Sequence, residues 1–368
     1  MVVQSTRSAA AVEGVDVAAF TIPTDAPEQD GTFDWDSTTI VVCHVHAGGE
    51  TGLGYTYGDL AVATLIDGTL AGVLRGQDAL EVGAAWEAMS RALRNIGRSG
   101  VGMMAVAALD VALWDLKARL AGLSLARLLD AAHETVPVYG SGGFTSYPLE
   151  RLCEQVGGWV AQGIPRVKMK VGRDPGADPA RVDAVRGAIG PDVELYVDAN
   201  GALSRKEAVA WAWRFADEWG VAWFEEPVSS DDVEGLALVR DLGPPGLDVA
   251  AGEYGYLLPD FARLAGAVDC LQADVTRCGG ITGLKRAAAV AAEHGLELSG
   301  HCAPAASAHA LAAVPNLRHL EYFHDHVRVE SMLFDGVLEP VDGALRPDTS
   351  RPGLGLELKR ADAERWAA

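Results

Sequence analysis

The chain is poor in positive charge, in paired cysteines and in long apolar runs. No stretch reaches membrane-spanning length without a charged or turn-forming residue, and Met1–Phe20 lacks the continuous apolar core of an export signal. Lys and Arg number 30 against 51 Asp and Glu, a net charge of −21. That excess disfavours nucleic acid and anionic membrane as partners, since like charges would have to be brought together. The five cysteines (Cys43, Cys153, Cys270, Cys278, Cys302) are odd in number and lack the close spacing of a metal-binding pair. Reduced, mostly buried thiols in a cytoplasmic protein fit that usage. Gly279 and Gly280 precede a helical pattern without a phosphate-binding fingerprint, so no nucleotide is indicated.

What the chain does have is a repeated strand-then-helix rhythm. From VPVYGSGG onward, apolar strand-like runs end near Lys170, Asp198, Glu225, Glu253, Asp274, His301 and Glu321. The ends are spaced by roughly 20 to 28 residues, the length of one strand, one helix and their loops. Eight such strands predict a modified TIM barrel of the (β/α)7β type, an α/β fold in which the carboxyl ends of the strands converge on one mouth. Residues 1–135 lack this rhythm and predict an α+β capping domain. The barrel is expected over 136–325, and the Gly- and Pro-rich segment 326–368 is expected to return to the cap. Within the cap, GVDVAAFTIP and TTIVVCHVHAG read as strands joined by the polar stretch TDAPEQDGTFDWDS, which reads as a mobile loop.

The residues at the strand ends define a chemistry. Asp198, Glu225 and Glu253 supply three carboxylates and no thiolate or imidazole, a donor set for a hard cation, Mg²⁺ first and Mn²⁺ as the alternative. Lys168 and Lys170 flank Met169, so strand alternation sends both amines to one side. Positive charge nearby, the metal included, is expected to lower the pKa of Lys170 and make a neutral base accessible. On the other flank, Asp274 is placed to fix the tautomer of His301 and leave one ring nitrogen free to exchange a proton. Abstracting a proton next to a carboxylate creates a doubly charged enediolate, for which Mg²⁺ and Lys168 would supply positive charge.

These motifs (KMK, the Asp198/Glu225/Glu253 trio, the Asp274/His301 dyad and the ALDVALWDLKARLAG helix of the cap) resemble the mandelate racemase subgroup of the enolase superfamily over nearly the whole chain. A Lys or His base working with Mg²⁺ is a general property of that superfamily. The resemblance implies Lys170 as base on one face of the substrate and His301 as acid or base on the other. It implies Asp274 as the orienter of His301, Lys168 as an enediolate stabiliser, and Glu321 as a protonated carboxyl that hydrogen-bonds the substrate carboxylate. Asn200 is expected to support the metal shell. Asp274 stands where the muconate-lactonizing branch carries a lysine, which disfavours lactonizing, dipeptide-epimerising and succinylbenzoate-forming chemistry.

Catalysts on both faces leave two reactions open: dehydration of an acid sugar to a 2-keto-3-deoxy acid, and racemisation or epimerisation of a 2-hydroxy acid by 1,1-proton transfer. Dehydration is favoured, because the polar stretch with Thr24, Asp25, Gln29 and Asp30 suits a hydroxylated small-molecule carboxylate, whereas an aromatic acid would call for a more apolar lid. A catalytically silent carboxylate-binding barrel is the non-enzymatic alternative. His324 and His326 follow the eighth strand, where substrate contact and cap packing are both open, and His44 and His46 share one face of a cap strand without an evident acidic partner. A homo-oligomer is expected.

Overall fold

The computed structural model describes residues 10–368, so the first nine residues of the opening segment lie outside it. Eight parallel strands form the barrel: β4 (Val136–Ser141), β5 (Arg166–Lys170), β6 (Glu194–Asp198), β7 (Val221–Glu225), β8 (Asp248–Ala251), β9 (Cys270–Ala273), β10 (Leu298–Gly300) and β11 (Leu317–Phe323). They pair in sequence order and close through β11 on β4, Leu320 opposite Val138 through Phe323 opposite Ser141. Strands buried on both faces read as apolar runs, which is why the rhythm was visible in the sequence. Inside the barrel, Tyr139, Tyr196 and Trp223 form a buried aromatic layer with His319. Alternation places Ser141, Asp198, Glu225 and Glu321 two residues further along the same strands.

The cap is a three-stranded antiparallel sheet of β1 (Val12–Gln29), β2 (Asp34–Ala47) and β3 (Glu50–Tyr57). The stretch read as a loop is instead the far end of the β1–β2 hairpin, with Glu28 opposite Trp35 and Gln29 opposite Asp34. A register shift between Pro23 and Glu28 absorbs two prolines, which an edge strand tolerates because its outer N–H groups need no partner. Strand β3 escaped the sequence reading because Gly52 and Gly54 interrupt its apolar pattern. Both are there for close approach: a Cβ on either would stand 2.1 Å from a carbonyl of helix Val101–Leu120.

The C-terminal segment hydrogen-bonds to the cap. Asp115 accepts from Leu53 N at 2.7 Å and Leu354 N at 2.6 Å, and Ala368 N donates to Ala19 O at 3.1 Å. His46 lies between Asp16 (2.9 Å) and Thr51 (2.9 Å), so its acidic partner comes from the neighbouring strand, which spacing along one strand could not reveal. No described helix is long and apolar enough to cross a membrane.

Candidate active site

Four non-glycine residues take left-handed backbone angles just beyond the strands that carry the chemistry: Asn200 (φ 47°) after β6, Glu226 (φ 39°) after β7, and Cys302 (φ 52°) and Ala303 (φ 46°) after β10. Such angles cost energy and persist where the surroundings dictate them, commonly at functional sites. They turn the chain around a cavity of about 360 Å³, lined among others by Lys170, Asn200, Glu253, His301 and Glu321.

Asp198, Glu225 and Glu253 are buried and bring one carboxylate oxygen each within 4.8 Å of the others. Protein cations already answer them. Lys168 Nζ lies 2.5 Å from Glu225, 2.9 Å from Glu321 and 3.5 Å from Asp198; Lys170 Nζ lies 2.6 Å from Asp198. His301 Nδ1 meets Asp274 at 2.7 Å, and its Nε2 is 3.0 Å from Glu253 and 3.2 Å from Glu321. Burial pushes Glu225 up to about 8 against the pull of Lys168, with Asp198 and Glu321 adding repulsion. A buried carboxylate held among anions fits a dication, and an all-oxygen trio fits Mg²⁺. Trp223, from the aromatic layer, donates Nε1–H to Glu225 Oε2 at 2.9 Å and fixes the other oxygen.

The far end of the β1–β2 hairpin is pressed onto the barrel mouth. A Cβ on Gly31 would stand 2.2 Å from Ala199 O, Thr145 Oγ1 donates to Asp30 O at 3.0 Å, and Arg173 pairs with Asp34 at 2.8 Å. Asp30 caps the turn by accepting from Thr32 N and Phe33 N at 2.6 and 2.7 Å.

Comparison with known proteins agrees with this geometry. Residues 13–130 match the mandelate racemase / muconate lactonizing enzyme N-terminal domain, and residues 151–363 match the enolase C-terminal domain-like model. The chain belongs to the mandelate racemase group of the enolase superfamily. It is an enzyme. Among relatives of this group, it is 34% identical to 3,6-anhydro-alpha-L-galactonate cycloisomerase of Streptomyces coelicolor, over 94% of this chain and 97% of that one. It is 35% identical to L-talarate/galactarate dehydratase of Salmonella typhimurium, over 86% and 79%. A structure of that dehydratase with Mg and L-lyxarohydroxamate superposes with a TM-score of 0.90 at 29% identity, covering 100% of this chain and 95% of that one. A mandelate racemase/muconate lactonizing enzyme-like protein from Rubrobacter xylanophilus superposes at 0.96 with 62% identity, covering 97% and 100%.

Within this mandelate racemase-group site, several expectations need correction. Burial alone would lower the pKa of Lys170, but Asp198 outweighs it and the net direction is up. The nearest charge to Lys170 is an anion, which the sequence reading did not weigh. Glu321 was expected protonated. Burial favours that form, yet Lys168 and His301 override it and hold the carboxyl well below its usual range. Ser141 Oγ (2.5 Å) and Cys302 Sγ (3.2 Å) donate to it as well. Asn200 lines the cavity, whereas Thr24, Asp25 and His324 do not. Asp25 pairs with His324 at 3.1 Å and Arg151 at 3.0 Å, tying hairpin to barrel.

The sequence reading missed Phe33, Trp35, Arg277 and Cys302 as cavity residues. Phe33 and Trp35 sat in the supposed loop. Arg277 follows Asp274 by three residues, a spacing that places it 3.6 Å from Asp274 and 3.4 Å from Glu253. Of the histidines after β11, His326 is the one on the cavity wall.

Proposed function

We propose that this enzyme dehydrates an acid sugar by removing the proton next to the carboxylate and expelling a β-hydroxyl. The observation that carries the reading is the pairing of an Asp274-bound imidazole with a lysine from β5, three strands away around the closed barrel, on one cavity. Asp198, Glu225 and Glu253 would hold Mg²⁺, which when bound supplies positive charge to the substrate carboxylate and offsets the field of the three anions. Relieved of the pull of Asp198, Lys170 gives up its proton more readily and takes the α-proton. Lys168 stays charged and donates to the carboxylate oxygen on which negative charge grows. Burial would lower the pKa of His301, but the carboxylates Glu253 and Glu321 and the bond to Asp274 raise it above the usual value. It therefore arrives as an imidazolium and donates to the departing hydroxyl, which leaves as water. The C–H electron pair becomes the C2–C3 double bond of an enol, and the enol tautomerises to the 2-keto-3-deoxy acid.

Phe33 and Trp35 on the cavity wall favour a second reading, 1,1-proton transfer on a less polar 2-hydroxy acid, because the lid is more apolar than the sequence implied. An NMR time course in D₂O with Mg²⁺ and a panel of acid sugars separates the readings. Dehydration yields a 2-keto-3-deoxy acid, whereas racemisation yields the deuterated epimer with its hydroxyl retained. Neither a 2-keto-3-deoxy product nor deuterium at the α-carbon from any acid would leave a binding barrel.

A further inference from the structure

One wall of the cavity is built from the cap strands and the helix His324–Leu333, and it contains Thr38, Thr39, Tyr57, Phe323 and His326. The His326 ring stacks on Tyr57 with centroids 3.4 Å apart and planes at 9°, and meets Phe323 edge-on at 5.2 Å. Its Nδ1 lies 3.2 Å from the Ala303 amide nitrogen. An amide N–H only donates, so Nδ1 holds the lone pair and Nε2 carries the hydrogen. Burial, with the cations His301 and Arg277 nearby, lowers the ring to about 4 and keeps it neutral at physiological pH, although Asp325 and Asp274 pull the other way. Among the described residues no group accepts from Nε2. The Thr38 hydroxyl donates to Asp325, the residue before His326, and Asp325 is also held by Arg328 at 2.6 Å. Thr38 Oγ1 thereby keeps its lone pairs for an incoming donor.

The charges on the cavity lining point the same way. Lys170 is held by Asp198, Arg277 by Glu253 and Asp274, and His301 by Asp274, Glu253 and Glu321. Each of these cations already faces at least one carboxylate of the protein. One fixed donor and one open acceptor match a hydroxyl, which gives one hydrogen bond and takes one. A buried carboxylate there would lack a counter-charge.

We infer that His326 and Thr38 form a subsite for a hydroxyl on the substrate chain, and that the enzyme prefers monocarboxylic aldonic acids to dicarboxylic aldaric acids. The inference rests on the acid-sugar reading above and names its substrate class. It is tested with matched pairs, gluconate against glucarate and galactonate against galactarate, by formation of the 2-keto-3-deoxy acid and by α-deuterium exchange with Mg²⁺ in D₂O. The aldonate of an active pair should exceed its aldarate by roughly tenfold or more in kcat/KM. His326→Phe keeps the stack on Tyr57 and removes the donor, a loss worth roughly 5- to 100-fold for an unmade buried hydrogen bond. That loss should be larger for the aldonate than for lactate, which is too short to reach the wall; equal losses would assign His326 to the fold. Independently, ¹⁵N-histidine NMR without substrate should show His326 as the neutral Nε2–H tautomer from pH 6 to 8. A preference for aldarates, or an Nδ1–H or cationic His326 at pH 7, overturns the subsite and leaves the dehydratase reading standing. Absence of both 2-keto-3-deoxy product and α-exchange from every acid removes that reading and the subsite with it, and the tautomer then tells a wrong reaction from a wrong wall.

Discussion

At the barrel mouth, Glu253, Asp274 and Glu321 are buried beside cations; along the seam between cap and barrel, Glu28, Asp110 and Glu330 are buried beside neutral donors. Burial pushes all six toward the protonated form. At the mouth, His301, Arg277 and the two lysines reverse that push and hold the three as anions. At the seam, the partners are the Trp35 indole, the Thr282 hydroxyl and amide, and the Tyr55 hydroxyl with the Ala305 amide. These donors do not offset desolvation, and the three carboxyls rise to about 8, 7 and 8. Equal burial thus yields reactive anions in one region and neutral, hydrogen-bonded struts in the other; the nearest formal charge decides. Two carboxyls at the mouth are exceptions: Glu226, raised well above its usual value by burial and by Glu253, Asp198 and Glu225, and, within the proposed metal trio, Glu225. Glu225 rises to about 8 like the seam residues although Lys168 touches it, which singles it out as the trio's carboxylate most in need of a metal.

The largest effect is therefore expected at Glu225. Glu225→Gln should abolish turnover and remove the rise in melting temperature that Mg²⁺ gives the wild type, a gain of about 2.7 kcal/mol at a hundred times the dissociation constant. Without Mg²⁺, the variant should melt no lower than wild type, because a costly buried acid has gone. A variant that keeps its Mg²⁺ response would remove Glu225 from the metal site.

Next come the two proposed proton carriers, Lys170 and His301, each worth on the order of 10²- to 10⁴-fold. With an acid whose α-proton faces Lys170, His301→Asn should retain exchange with solvent deuterium but form no product. Lys170→Ala should lose exchange from that face. Asp274→Asn should copy the His301 defect more weakly, since it disturbs the ring without deleting it. Identical suppression by both variants from both epimers would make one of the two a binding group.

A smaller effect is expected one layer down. Trp223→Phe keeps the aromatic floor but deletes the donor to Glu225 Oε2. Loss of a hydrogen bond to a charged group is worth about 1.5–3 kcal/mol, and it should appear as weaker Mg²⁺ affinity with little change in kcat at saturating metal. Unchanged affinity would confine Trp223 to packing.

How much of this was legible in sequence follows from the same physics. Barrel strands are apolar on both faces and end in polar residues, so Asp198, Glu225, Glu253, Asp274 and His301 stood out against their runs. The hairpin did not, because Pro, Asp and Gly at an edge strand look like a loop; Trp35 and Phe33 were lost with it. Protonation was the least legible. It depends on through-space neighbours such as Asp198 beside Lys170 and Lys168 beside Glu321, which come from other strands. His326 and His324 stand two residues apart, and only the stack on Tyr57 and the ion pair with Asp25 separate a cavity residue from a surface tie.

The smallest effect tests the seam. Glu330 has a folded pKa raised from 4.5 to about 8, so over that interval the folded protein holds a proton that the unfolded chain has released. Its contribution is complete below about pH 4.5 and is lost as pH rises through about 8, so the wild type should become less stable from pH 6 to pH 9. Glu330→Gln cannot ionise. It keeps an oxygen for the Ala305 amide and turns its amide toward Tyr55, at a cost of about 1 kcal/mol near pH 6. The variant should therefore start slightly less stable and lose less on going to pH 9. The measurement is the slope of melting temperature against pH for both proteins in the absence of Mg²⁺. Equal slopes would mean that Glu330 is ionised like the carboxylates at the mouth, and neutral donors would then suffice to hold a buried anion in this fold.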